Sequence, residues 1–136
     1  MIVIDASIAL SWCFHDERTP YTQQLLARVI QQGASVPQLW HLEVSNAMLI
    51  GLIKGRINES DLLLQLQYLN ELPVSVDLDT ANAAFAQIYQ IARSDRLTTY
   101  DAAYVELALR SGLPLATLDK AMRKAATKHG VQVISE

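Results

Sequence analysis

Four acidic residues stand apart from the others because each lies where a predicted strand ends or a predicted helix begins. Asp5 and Asp119 each follow a short apolar run, and Glu43 and Asp101 lie in the first turn or so of predicted helices. In a parallel α/β sheet, the carboxyl ends of the strands and the amino ends of the helices lie at one edge, where ligands bind. All four acids can therefore converge on one site although they are far apart in the sequence.

Such a group of carboxylates points to metal-assisted chemistry. Partly buried carboxylates at one edge repel one another unless a cation lies among them. Oxygen ligands without a cysteine or histidine cluster favour Mg²⁺ or Mn²⁺ over Zn²⁺. An ion of this kind orients phosphate oxygens and activates water for attack on a phosphodiester.

Each acid also has a purely structural interpretation, because helix amino termini favour acids. Asp5 and Asp119 are well placed as N-caps, worth about 1 kcal/mol each. Thr98-Thr-Tyr-Asp101 matches a capping box, and Glu43 can be a solvated helix residue. Singly, each acid is better explained as structural. Together, their shared edge and the apolar residues around Glu43 and Asp101 favour a site.

The framework that would hold these acids alternates short β-branched runs with longer helical periods, which predicts an α/β fold around a parallel sheet. The predicted strands are 2–4, 35–36, 74–76, 115–118 and 131–134. The predicted helices are 8–14, 21–32, 39–53, 61–72, 80–92, 100–110 and 120–128.

Length and composition limit the alternatives. A chain of 136 residues is expected to be a single domain, 1–136, with a substantial core. The net charge of −3 means that any contact with nucleic acid needs a local basic patch or a bound cation. The single cysteine, Cys13, excludes an internal disulfide and is typical of a reducing compartment. With no signal-peptide pattern and no apolar stretch long enough to cross a bilayer, we expect a cytoplasmic protein.

Four stretches of the chain together carry a family resemblance. They are Val3-Ile-Asp5-Ala-Ser7, Pro37 followed by Glu43 and Asn46, Thr99-Tyr-Asp101-Ala-Ala-Tyr104, and Leu115-Ala-Thr-Leu-Asp119-Lys120. They resemble the motifs of PIN-domain ribonucleases, and most closely the VapC type, the toxin of type II toxin–antitoxin pairs. The likeness covers nearly the whole chain. The last two motifs together are fairly specific, whereas the first alone is weak.

This resemblance implies a three-layer α/β/α sandwich around a five-stranded parallel sheet in the order 3-2-1-4-5. It implies an acidic quartet that binds one or two Mg²⁺ or Mn²⁺ ions, namely Asp5, Glu43, Asp101 and Asp119. It also implies supporting polar residues, namely Ser7, Asn46 and Thr117. Some relatives carry a further acid after the last aspartate, and residues 120–124 of this chain offer none, which leaves the number of ions open.

Two groups of residues near the acids have two interpretations each. Lys120, Arg123 and Lys124 recur at helical spacing beside Asp119, either as contacts to RNA phosphates or as a solvated helix face. Tyr104 can stack on a base, but its apolar neighbours favour core packing.

The function implied by the resemblance is a metal-dependent endoribonuclease that acts as a toxin. It implies an RNA substrate, a cognate antitoxin protein with a segment in or near the acidic groove, and a homodimer. The alternative is a catalytically silent PIN-like module that binds RNA or protein, against which the intact quartet argues. A phosphotransferase with a strand-end aspartate fits less well, because haloacid-dehalogenase-like enzymes usually have a second aspartate where this chain has Ser7.

Overall fold

The structure is a computed structural model, and it describes residues 1–135. The strands are β1 (Ile2–Ile4), β2 (Ala34–Pro37), β3 (Val74–Asp77) and β4 (Leu115–Ala116). They form one parallel sheet in the order β3-β2-β1-β4. The α-helices are α1 (Ala6–Cys13), α2 (Pro20–Gln32), α3 (Leu39–Ile53), α4 (Glu59–Glu71), α5 (Thr80–Ala83), α6 (Tyr89–Asp95), α7 (Thr99–Ser111) and α8 (Lys120–Lys128). The predicted α/β fold with a parallel sheet is confirmed.

The register of the two central strands determines where the candidate site forms. Val3 of β1 pairs with Leu115 of β4, and Ile4 pairs with Ala116. The backbone N–H of Asp5 continues this ladder by donating to the carbonyl of Ala116 over 3.3 Å. The residues just beyond the two strands are therefore neighbours at the carboxyl edge of the sheet.

The sheet is buried because helices cover it. All three residues of β1 are fully buried, as expected for a parallel strand whose two faces are both packed. Helix α7 packs against β1 and β2, and its residues 102–108 are all buried. The first turn of α7, which carries Asp101, is therefore held firmly at the sheet edge.

The predicted fifth strand, 131–134, is not formed as a strand within residues 1–135. Val133 makes a single parallel bridge to Leu115. Two backbone hydrogen bonds of 2.9 Å support it, from the Leu115 N–H to Gln132 and from the Ile134 N–H to Leu115. The β-branched run does lie beside β4, but it pairs over too short a length to extend the sheet. The observed order is thus 3-2-1-4.

The helix predicted at 80–92 also differs from the structure. It runs from Thr80 to Asp95 in three parts, with a π-helical turn over Ala84–Ile88 between α5 and α6. Arg96 ends it in the left-handed conformation, with φ of 55°. No helix among the described residues combines the length and hydropathy needed to cross a membrane.

Candidate functional site

Asp5 forms the buried centre of the candidate site. It follows β1 and caps α1, with its Oδ1 accepting from the Ile8 N–H over 3.3 Å. The same oxygen accepts from the Ser7 hydroxyl over 2.6 Å, and Oδ2 accepts from the Thr117 hydroxyl over 2.5 Å. Only 4% of Asp5 is exposed. Asp5 is therefore an N-cap, as predicted, and it is also a buried carboxylate with both oxygens engaged.

This burial changes the acidity of Asp5. Desolvation by burial and, to a smaller extent, the nearby charge of Asp101 raise the pKa of its carboxyl, whereas the hydrogen bonds from Ser7, Thr117 and Ile8 favour the ionised form and lower it. The net result is a rise in the pKa from 3.8 to about 6. The ionised carboxylate is thus held at a cost in free energy that a nearby cation would relieve.

Two hydroxyl groups link Asp5 to the chain after β4. The Thr117 oxygen also accepts from the Asp119 N–H over 3.0 Å, and the Ser7 oxygen accepts from the Leu118 N–H over 3.0 Å. Thr117 is fully buried. Ser7 and Thr117 therefore fix the position of the chain around Asp119 relative to Asp5.

Asp119 and Asp101 both lie at helix amino ends, as predicted. Asp119 caps α8 by accepting from the Met122 N–H over 2.8 Å. The Thr98 hydroxyl caps α7 by accepting from the Asp101 N–H over 3.0 Å. Partial burial, and then the charge of Asp119, raise the pKa of Asp101, and a hydrogen bond with the Thr98 side chain offsets part of this rise.

Glu43 approaches the same place from α3. Its helix starts beside β1 because the indole N–H of Trp40 donates to the backbone carbonyl of Asp5 over 3.3 Å. The Tyr104 hydroxyl, on α7, donates to Glu43 Oε1. Burial raises the pKa of the half-buried Glu43, and the charge of Asp101 raises it further.

The structure brings all four acids into electrostatic range. Asp101 is the common neighbour, because its charge acts on Asp5 and on Glu43, and it is itself affected by Asp119. These interactions connect the ends of β1 and β4 with the first turns of α3 and α7. The four acids are therefore connected in pairs, each through Asp101.

The comparison with known families agrees with this geometry. The sequence model of the PIN domain matches residues 2–128. This chain belongs to the PIN-domain family. The resemblance inferred from the sequence motifs is confirmed, and PIN domains are generally nucleases.

Two solved structures share the PIN fold seen here. PAE2754 from Pyrobaculum aerophilum superposes with a TM-score of 0.70 at 22% identity, covering 97% of this chain and 82% of that one. FitAcB from Neisseria gonorrhoeae superposes with a TM-score of 0.64 at 19% identity, covering 99% of this chain and 97% of that one. No curated protein sequence matches the chain significantly.

The acids of this PIN domain fit a partly hydrated ion. Within residues 1–135, no three carboxylate, imidazole or thiolate side chains lie close enough together to enclose a metal. Their donors are all oxygens, and Mg²⁺ is commonly bound through only one or two carboxylates while it keeps several waters. The oxygen donors present therefore fit a divalent metal ion, of the kind that PIN domains typically use.

The other residues predicted for the site lie on α3 and α8, the helices that begin near Glu43 and Asp119. Asn46 is exposed on α3 one turn after Glu43, and Lys120 and Lys124 are exposed on α8. Arg123 is half-buried, and its Nε donates to the Thr117 carbonyl over 2.8 Å. Part of the Arg123 guanidinium is thus engaged in holding the end of β4.

Sequence reasoning missed the hydrogen bond of Tyr104. The prediction that its ring packs in the core is confirmed, because Tyr104 is 1% exposed. A usable signal was its spacing, since it follows Asp101 by three residues and so lies on the same helix face. The partner of its hydroxyl, Glu43, lies 61 positions away, and no local pattern points to it.

Proposed function

We propose that residues 1–136 form a single PIN domain. We further propose that it is a Mg²⁺- or Mn²⁺-dependent endoribonuclease and the toxin of a type II toxin–antitoxin pair. The observation that carries the proposal is the buried Asp5 carboxylate beside the charge of Asp101, an acid that also acts on Glu43 and is itself affected by Asp119. An aspartate that only caps a helix needs neither this degree of burial nor other acids close to it. The VapC-like motifs support the choice of RNA and of a toxin.

Each acid has a proposed task. Asp5, Asp101 and Asp119 would hold the ion directly or through water, and Glu43 would either ligate it or orient the attacking water. When bound, the ion neutralises charge on the phosphate oxygens and makes water more acidic. Ser7 and Thr117 fix the Asp5 carboxylate through their hydroxyls. Asn46 supports Glu43 from the next turn of α3.

The path proposed for the RNA backbone follows α8. The predicted phosphate contacts Lys120, Arg123 and Lys124 begin directly after Asp119. Lys124 and Arg96 line a cavity of about 630 Å³ between α8 and the chain before α7. Cations along this path counter the overall charge of −3 where phosphates would lie.

Exposed apolar side chains support the proposed protein partners. On α3, Leu42 and Ile53 are 74% and 75% exposed, and on α4 Leu63 and Leu64 are 57% and 63% exposed. Large apolar side chains that remain in water at adjacent helices are typical of surfaces that bind another protein. We assign these faces to the antitoxin and to a second copy of the chain.

The second candidate is a PIN-like module that binds RNA or protein without cutting. The absence of a preformed three-ligand cluster within residues 1–135 fits such a module as well as it fits a hydrated ion. The two candidates differ in whether a divalent ion binds at the acids. A measurement of metal binding in addition to cleavage therefore separates them.

Incubation of the purified, antitoxin-free protein with mixed structured and single-stranded RNAs in Mg²⁺ or Mn²⁺ tests the proposal. We expect cleavage that is lost with EDTA and in Asp5→Asn. Glu59→Gln is the matched control, because Glu59 is an exposed acid in the first turn of α4, outside the acid cluster. Cleavage that survives EDTA, or that Asp5→Asn retains, would refute the metal nuclease. A folded protein that binds RNA but neither Mn²⁺ nor Mg²⁺ would establish the silent module.

A further inference from the structure

Tyr104 joins the hydrophobic core to the acid cluster. Its ring lies in the buried middle of α7, and its hydroxyl donates to Glu43 Oε1 on α3. The charges of Asp5 and Asp101 also act on this hydroxyl. The phenol oxygen thus lies within range of three of the four acids while the rest of the side chain is packed.

Core packing alone does not explain this arrangement. A phenylalanine would fill the same space without a polar atom that needs a partner. Tyr21 shows the structural alternative, because its hydroxyl donates to the backbone carbonyl of Ile134 over 2.7 Å. The hydroxyl of Tyr104 instead contacts a side chain of the candidate site.

The hydroxyl is suited to be a permanent donor. A phenol is protonated near neutral pH, so the Tyr104 hydroxyl can donate to the Glu43 carboxylate. Because its ring is enclosed by the core, the proton that it offers has a fixed position.

We propose that Tyr104 is a positioning residue that holds Glu43 Oε1 and so turns the Glu43 carboxylate toward Asp101, leaving Oε2 for the ion or its water. This inference rests on the proposed metal site. Without the hydrogen bond, the half-buried Glu43 side chain is free to change rotamer toward solvent. Residues that orient metal ligands in this way typically contribute about 10- to 100-fold to metal affinity or activity.

The test is Mn²⁺ binding by Tyr104→Phe, measured by isothermal titration calorimetry and by electron paramagnetic resonance. We expect the dissociation constant to rise about tenfold, while circular dichroism and urea unfolding report a folded chain. Tyr100→Phe is the matched control, because Tyr100 lies one turn earlier on the same helix and is 63% exposed. In RNA cleavage, we expect kcat to fall with KM for RNA unchanged.

A double-mutant comparison shows whether Tyr104 acts through Glu43. In a Glu43→Ala background, Tyr104→Phe is expected to change Mn²⁺ affinity no further. Glu43→Asp provides a second, independent variant, because it keeps the charge but withdraws the carboxylate from the hydroxyl by one methylene. It is expected to lose about as much affinity as Tyr104→Phe.

The outcomes separate this inference from the proposed function. Full Mn²⁺ affinity in Tyr104→Phe, or an equal loss with and without the Glu43 side chain, would overturn the inference alone. Absence of Mn²⁺ binding by the unaltered protein would overturn the proposed metal nuclease and the inference together. If Tyr104→Phe weakens Mn²⁺ binding in the otherwise unaltered protein but not in the Glu43→Ala background, the inference is supported whether or not RNA is cut.

Discussion

Asp5→Asn is expected to make the metal-free protein more stable at pH 7.5 although it removes the central acid of the site. Burial raises the pKa of Asp5 from 3.8 to about 6 in the folded chain. Ionisation at neutral pH therefore costs the folded state about 3 kcal/mol, and asparagine avoids this cost. The ionised Asp5 lowers the free energy of unfolding above pH 6. This loss is recovered as the pH falls from 6 toward 3.8, because the Asp5 carboxyl binds its proton in the folded chain at a higher pH than in the unfolded chain.

The substitution also loses part of a hydrogen bond. The new amide NH₂ faces the Thr117 oxygen, which already accepts from the Asp119 N–H, so the Thr117 proton is left without its acceptor. A polar group left unpaired in the interior costs about 1 to 2 kcal/mol. The net gain at pH 7.5 is then about 1 to 2 kcal/mol. At pH 4.5 only about 1 kcal/mol of the ionisation cost remains, so the gain disappears.

Urea unfolding in EDTA at both pH values measures this difference. The stability of Asp5→Asn relative to the unaltered protein should fall by about 2 kcal/mol between pH 7.5 and pH 4.5. Glu59→Gln, which replaces an exposed acid on α4, should change the free energy of unfolding by less than about 0.5 kcal/mol at either pH. Addition of Mn²⁺ should stabilise the unaltered protein and not Asp5→Asn. A loss of stability at pH 7.5, or a difference independent of pH, would refute the reasoning.

Two further experiments test the residues around Asp5 and along α8. Thr117→Val should destabilise the protein by about 1 to 3 kcal/mol in urea unfolding, because it removes the hydroxyl that bonds to buried Asp5, whereas Thr117→Ser should restore most of the loss. Lys120→Gln combined with Lys124→Gln should weaken binding of a non-cleavable oligonucleotide and lower its salt slope by about 1 to 2, with Lys54→Gln as control. An unchanged salt slope would place the RNA path elsewhere.

Short-range patterns explain why much of the site was predictable. The apolar run before Asp5 predicts a buried strand, and a carboxylate at its end can reach the N–H three residues later without help from the rest of the chain. The same local reach accounts for the cap of Thr98 on Asp101 and for that of Asp119 on α8. Parallel pairing then brings these ends to one edge.

Long-range geometry explains what was not predictable. The hydrogen bond from Tyr104 to Glu43 depends on how α3 and α7 are placed relative to each other. No short stretch of the sequence determines that placement. The run 131–134 has the β-branched residues of a strand, but the length over which it pairs with β4 is set by tertiary contacts. The π-helical turn at Ala84–Ile88 likewise has no signature in residue types.

The hydrogen bond between Asp5 and Thr117 also determines when the site can exist. Asp5 leaves the ribosome well before its partner, which lies 112 positions later in the chain. Strand β4 and Asp119 are synthesised at nearly the same stage as Thr117, so β1 can pair with β4 only after they have emerged. A nascent chain shorter than this carries Asp5, Glu43 and Asp101 without the junction that joins them to Asp119. The four acids can therefore act together only after β4 and Asp119 have been synthesised.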